Sequence, residues 1–243
     1  MIKRELYMNR IRPFIGGELI KVMTGIRRSG KSVMLELIKE ELAEAGVAPS
    51  QMISINFEDM RYSHLQTATA LHDEIIKRAE GIEGKAYLFF DEIQEVEGWE
   101  KCVNSLRVAL DCDIYITGSN AKLLSGELAT YIGGRYVEFV IYPFSFAEFL
   151  ELYHTIAPSD SIQQCFQKYL LAGGMPYLAN LRYEEEPSRQ YLTDLFNSVQ
   201  LKDIVKRNKI RDIDLLERII AYMTANVGTV FSASSLAKFF KNE

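Results

Sequence analysis

Gly25-Ile26-Arg27-Arg28-Ser29-Gly30-Lys31-Ser32 follows the apolar run Leu19-Ile20-Lys21-Val22-Met23 and precedes a segment of helical period. These eight residues satisfy the phosphate-loop pattern G-x-x-x-x-G-K-[ST] in full. The spacing has a physical reason. Glycines at both ends let the backbone curl without Cβ clashes, so that successive N–H groups face an anion. Lys31 is placed to reach β- and γ-phosphates, Ser32 to ligate Mg²⁺, and the next helix offers its positive N-terminus. The expected nucleotide contacts are Gly25, Arg28, Ser29, Gly30, Lys31, Ser32 and Val33, with Arg27 as a further cation beside them.

Outward from this loop, strand-like and helix-like segments alternate. Lys31 to Ala45 reads as a helix, with Met34, Ile38, Leu42 and Ala45 on one face. Gln51 to Phe57 reads as a strand, and Leu71, Ile75 and Ala79 mark a second helix. Ala86 to Phe90 is a continuous apolar run, as in a strand covered on both faces. Trp99, Val103, Leu106 and Leu110 mark a third helix, Asp113 to Thr117 a strand, Ala121 to Tyr131 a helix and Tyr136 to Ile141 a strand. The class is α/β, with a parallel sheet of about five strands flanked by helices.

Beyond Pro143 the pattern turns helical, over Ser145–Tyr153, Ile162–Ala172 and Arg189–Val205, then Leu215–Ala225 and Ser234–Phe240. The expected organisation is a nucleotide-binding core over 1–145 followed by a smaller all-α part, over 146–210 and on through 211–243.

Three further stretches carry chemistry. Leu88-Phe89-Phe90-Asp91-Glu92 is an apolar strand ending in two carboxylates. Asp91 is expected at the Mg²⁺ site with Ser32, and Glu92 as the base that orients the attacking water. One strand lies between the loop strand and this one in sequence. That order, with Glu after Asp, is the pattern of the additional-strand P-loop ATPases. Ile114-Tyr115-Ile116-Thr117-Gly118-Ser119-Asn120 is a second apolar strand with a polar end, expected beside the loop strand. Asn120 is the candidate γ-phosphate sensor and Ser119 the second choice; an N-cap role for Asn120 stays open. Gly133-Gly134-Arg135 precedes the last strand, where Arg135 is either an arginine finger for a neighbouring subunit or a structural partner of Glu138 or another surface carboxylate.

Bulk composition bounds the rest. The 243 residues carry 28 basic and 33 acidic side chains, a net charge of −5, so no global basic field points to nucleic acid. The cluster Lys202, Lys206, Arg207, Lys209 and Arg211 is interleaved with Asp203, Asp212 and Asp214, the pattern of a solvated helix face. Cys102, Cys112 and Cys165 make no metal spacing and fit a reducing compartment, while His64, His72 and His154 lie far apart. No signal peptide opens the chain, and the uncharged stretch from Ile219 to Ala237 is broken by Asn226, Gly228 and several Ser/Thr. A cytoplasmic protein with no membrane partner is expected.

With GIRRSGKS, FFDEIQ, ITGSN, GGRYVEFVIYPFSFAEFL and GGMPYL in hand, the chain resembles the AAA+ ATPases, within the prokaryotic ATP-binding group near the signalling and archaeal branches. The resemblance spans nearly the whole chain. It implies ATP and Mg²⁺ as ligands, Lys31 and Ser32 on phosphate and metal, Asp91 as the Mg²⁺-site acid, Glu92 as the catalytic acid and Asn120 as sensor. It also implies that 146–210 is a helical lid or connector and that 211–243 is the start of a winged-helix-like domain, incomplete because its recognition helix and wing are missing. Further copies of the chain and a protein client are the expected partners. Two functions follow: an Mg²⁺-dependent ATPase with a regulatory or partner-remodelling output, or a nucleotide-loaded switch or DNA-binding adaptor with little hydrolysis.

Overall fold

The computed structural model describes residues 2–118, 132–199, 205, 212–230 and 232–241. Among them, five strands form one sheet: β1 (Ile20–Thr24), β2 (Met52–Asn56), β3 (Ala86–Asp91), β4 (Cys112–Thr117) and β5 (Tyr136–Val140). Their order is β2-β3-β4-β1-β5 and every pair is parallel. The helices are α1 (Glu5–Ile11), α2 (Lys31–Glu44), α3 (Ala68–Ala79), α4 (Trp99–Ala109), α5 (Phe146–Tyr153), α6 (Ile162–Ala172), α7 (Glu185–Val199), α8 (Ile213–Ala225) and α9 (Ala233–Lys241). The helix expected over 121–131 lies outside the described residues.

Strand periodicity sorts side chains to two faces. Ile20, Val22, Leu88, Phe90, Ile114 and Ile116 pack on one face with Leu71 and Ile75 of α3 and Val103 and Leu106 of α4. Met23, Phe89, Tyr115 and Phe139 pack on the other with Met34 and Ile38 of α2 and with Tyr7, Met8 and Ile11 of α1. Phe89 and Tyr115 stack there at 4.8 Å between ring centres. Each such burial stabilises the fold by about 1.5–3 kcal/mol. β2, at the sheet edge, keeps only alternate residues buried. α1 carries no pattern long enough to read in sequence; packing against the sheet and α2 supplies what its seven residues lack.

A buried charge network closes the N-terminal end of the sheet. The Lys21 ammonium is fully buried, paired with Asp113, and donates to the Phe14 carbonyl at 3.1 Å. Asp113 also accepts from the Gly16 N–H and the Tyr115 hydroxyl, each at 2.7 Å. Burial lowers the Lys21 pKa from its ordinary value, and the Asp113 charge works against that shift. The network ties the turn after α1 to β1 and β4.

The helices after β5 begin with a capping box. Ser145 Oγ accepts from the Glu148 N–H at 3.4 Å, and Glu148 Oε2 accepts from the Ser145 N–H at 2.8 Å. The stretches PFSFAEFL and GGMPYL then meet through backbone. The Phe144 N–H donates to the Gly174 carbonyl at 2.7 Å, and Tyr169 Oη donates to the Phe144 carbonyl at 2.9 Å. A Cβ on Gly174 would lie 2.0 Å from the Phe144 oxygen, which is why glycine stands there. Phe149, Tyr153 and Tyr183 complete this layer, with ring centres 4.9–5.4 Å apart.

Residues Met1–Arg189 form one compact unit that holds the sheet, α5 and α6, and Gln190–Glu243 form a second that holds α8 and α9. The boundary expected after 145 thus falls inside the first unit.

Lys21→Met strands the Asp113 carboxylate without its cation and is expected to destabilise the first unit by about 3–5 kcal/mol. Gly174→Ala forces backbone apart and is expected to cost about 1–3 kcal/mol. Urea unfolding followed by circular dichroism checks both.

Candidate phosphate-binding site

The loop between β1 and α2 is shaped by its neighbours as well as by its own glycines. The Ile141 N–H donates to the Thr24 carbonyl at 2.7 Å, carrying the β5 pairing to the very start of the loop. Gly25 follows with φ +144°, and a Cβ there would lie 2.2 Å from the Ile141 oxygen. Arg28 is exposed and takes the left-handed conformation, φ 61°. Ser29 is buried, and its hydroxyl has no hydrogen-bond partner. Ser32 and Val33, on the first turn of α2, are exposed.

Lys31 is only 5% exposed. Its Nζ donates to the Gly25 and Ile26 carbonyls at 3.3 and 3.2 Å and lies 3.9 Å from Glu92 Oε1. The ammonium is therefore folded back over the loop that an anion would fill.

Register brings the acidic residues to the same edge. Asp91 ends β3 and is paired with Asn56 at the end of β2. Both its oxygens are held: Asn56 Nδ2 donates to Oδ2 at 3.1 Å, and Thr117 Oγ1 donates to Oδ1. Thr117 Oγ1 in turn accepts from the Glu92 N–H at 3.0 Å. Glu92 sits in the left-handed region with φ 55°, a conformation that costs energy in a residue with a Cβ. Its carboxylate accepts from Gln94 Nε2 and is half-buried. Burial pushes the Glu92 pKa above its ordinary 4.5, while the Gln94 hydrogen bond and the Lys31 charge pull the other way.

The structure thus brings Lys31, Asp91 and Glu92 together with the loop. Arg135 lies elsewhere. Its carbonyl accepts from the Ile20 N–H at 3.0 Å, at the start of β1, and its Nη1 donates to Asn104 Oδ1 at 2.7 Å. A five-residue strand of roughly 3.3 Å per residue separates it from the loop of its own chain. Glu138, the alternative partner of Arg135, accepts instead from Thr24 Oγ1 at 2.6 Å. Asn120 and Ser119 lie outside the described residues. Thr117, Asn56 and Gln94 were not singled out in the sequence. Thr117 stands in the same ITGSN stretch as Asn120, and Asn56 is the last residue of a strand, so a rule that reads polar residues at strand ends finds both.

The donor set suits Mg²⁺. Asp91 and the Ser32 hydroxyl offer hard oxygens, and Mg²⁺ takes few protein ligands, keeping water and phosphate for the rest. Among the described residues no group of three or more His, Cys, Asp or Glu side chains forms a metal cluster. Nor is any described helix long and apolar enough to cross a membrane.

A family model described as an AAA domain matches residues 18–150, more than half of the chain. The chain belongs to this family, the AAA+ P-loop ATPases. A second model, described as a domain of unknown function, matches residues 163–242. An uncharacterized protein of Haemophilus influenzae is 38% identical over 244 residues, covering all of this chain and 60% of the relative. One of Methanocaldococcus jannaschii is 32% identical over 236 residues, covering 92% of this chain and 51% of the relative. The chain thus spans about half to three-fifths of the length of these curated relatives. Among solved structures, a RuvB mutant of Thermotoga maritima superposes with a TM-score of 0.50 at 13% identity, covering 98% of this chain and 80% of that one; the likeness is one of fold.

The raised Glu92 pKa has a stability consequence of definite sign. The folded chain holds that proton more tightly than the unfolded chain, so Glu92 costs stability as pH rises from 4.5 through its folded value. Glu92→Gln is expected to raise Tm at neutral pH, with the gain fading below the ordinary carboxylate range. Thermal melts of both proteins from pH 4 to 8 check this.

Proposed function

We propose that the chain binds Mg²⁺-ATP at the loop and hydrolyses it. The observation that carries this reading is the shared edge, with Lys31 Nζ 3.9 Å from the Glu92 carboxylate and Asp91 oriented by Asn56 and Thr117. Lys31 exchanges its loop carbonyls for phosphate oxygens, and the backbone amides from Arg28 to Val33 supply further donors. Ser32 and Asp91 would hold Mg²⁺, which would supply positive charge against the phosphates. Glu92 orients the attacking water and takes its proton once Gln94 releases the carboxylate. Thr117 keeps Asp91 and the Glu92 backbone in fixed relation throughout. Arg135, remote from its own loop, is offered to the nucleotide of a neighbouring copy. The output is motion of the helical part that moves a protein client.

A second reading rests on one feature. The Glu92 carboxylate accepts a hydrogen bond from Gln94 Nε2, which holds it away from an attacking water. On that reading the chain is a nucleotide-loaded switch, or an adaptor on DNA, that turns over only when a partner frees Glu92.

Steady-state hydrolysis separates the two. Glu92→Gln is expected to retain ATP binding and to lower kcat by about 100-fold or more, whereas unchanged turnover removes Glu92 from the chemistry. The specific rate is expected to rise with protein concentration and to stop rising in Arg135→Ala. A flat rate in both means that each chain works alone. Binding without turnover at any concentration favours the switch.

A further inference from the structure

Arg4 belongs to none of the motifs above, yet its side chain is only 1% exposed. The residue takes the left-handed conformation, φ 47°, immediately before α1. Its guanidinium reaches three separate parts of the chain. Nη1 donates to the Ser29 carbonyl in the phosphate loop at 2.9 Å. Nη2 donates to the Tyr142 carbonyl, just past β5, at 2.8 Å. Nε donates to Glu148 Oε1 at 2.7 Å. The planar head also lies 4.6 and 5.1 Å from the ring centres of Tyr7 and Phe144. Tyr7 Oη accepts from the Tyr142 N–H at 3.0 Å, so Arg4 and Tyr7 between them hold both backbone polar groups of Tyr142.

Stability alone is a poor account of a charge placed so deep, because desolvation offsets much of what a buried ion pair contributes. Geometry gives a better one. Three acceptors in different directions need the fixed fork of an arginine, which an ammonium cannot reproduce. In a trans peptide the carbonyl and the following N–H point to opposite sides. Holding the Ser29 carbonyl towards Arg4 therefore turns the Gly30 N–H away from it. Gly30 is close enough that a Cβ there would lie 3.3 Å from Arg4 Nη1. The other end of the fork is anchored by a carboxylate that is itself fixed, since Glu148 closes the capping box of α5 with Ser145.

We propose that Arg4 is a positioning residue for the phosphate loop. It sets the Ser29–Gly30 peptide so that the Gly30 N–H is presented to phosphate, and through Glu148 it makes that setting depend on the first turn of α5. This rests on nucleotide binding at the loop, and it adds a residue that the loop motif does not contain. Arg4 touches no phosphate in this account; it acts through Ser29.

The test is the affinity for Mg²⁺-ADP, by calorimetry on the full chain, for wild type, Arg4→Lys, Arg4→Met, Glu148→Gln and the double variant Arg4→Met/Glu148→Gln. Apo thermal melts are run alongside. Arg4→Lys and Arg4→Met are expected to weaken binding about tenfold, the scale of losing a charged hydrogen bond's effect. Glu148→Gln is expected to weaken it about threefold, and the double variant no more than Arg4→Met alone, because both act on one contact. A purely structural Arg4 predicts lower apo Tm in every variant with wild-type affinity in the folded protein, and that result overturns the proposal. Should Arg4→Met fail to fold, the Arg4→Lys and Glu148→Gln affinities decide on the same terms. If wild type itself binds no nucleotide, the nucleotide reading and this proposal fall together; if wild type binds and the folded variants match it, only this proposal falls.

Discussion

Parallel pairing of β1 with β4 on one side and β5 on the other is the constraint on which everything else rests. In that register Met23 faces Thr117 and Thr24 faces Val140, so three strands stop at one level. β3 adds Asp91 at the same edge through its own pairing with β4 and β2. Ligands of open parallel sheets gather at the C-terminal ends of strands, where loops have room and backbone groups are unpaired. Here that edge receives Lys31, Asp91, Glu92 and Thr117 from elements far apart in sequence. The same register sends Arg135 to the opposite edge, where it meets Asn104. A single geometric fact thus gathers Lys31, Asp91, Glu92 and Thr117 at one end of the sheet and leaves Arg135 at the other.

Buried charge marks both ends of the sheet, with different consequences. At the N-terminal end Lys21 and Asp113 are fully enclosed, with the Phe14 carbonyl, the Gly16 amide and the Tyr115 hydroxyl as further partners. Nothing there is left to exchange with a ligand. At the other end Lys31 is held by loop carbonyls at 3.2–3.3 Å, contacts that a phosphate would compete for under the proposed function. Glu92 is half-buried with a raised pKa and a strained backbone, and Ser29 keeps a buried hydroxyl with no partner. The closed end is built for rigidity and the open end for exchange.

Much of this was legible in the sequence, and the reasons are local. The loop pattern fixes its own chemistry, and continuous apolar runs such as AYLFF mark strands buried on two faces, so the α/β class and the places of Lys31, Asp91 and Glu92 follow from short-range signals. What was not legible depends on contacts across the fold. Arg4 lies in a charged stretch that looks solvated until Ser29, Tyr142 and Glu148 converge on it. Gly174 looks like loop punctuation until Phe144 passes 2.0 Å from where its Cβ would be. Thr117 closes an apolar strand, and its hydroxyl matters only because β3 ends beside it. α1 is too short for its periodicity to show.

The central claim is that the edge formed by the loop, Asp91 and Glu92 is a metal-assisted nucleotide site. Calorimetric titration of ATP into the chain with and without Mg²⁺ tests it most directly. The account predicts one nucleotide bound per chain, more tightly with Mg²⁺ present, and loss of both binding and metal dependence in Lys31→Ala. Nucleotide binding that ignores Mg²⁺ and survives Lys31→Ala, or no binding by the wild type under either condition, would contradict it.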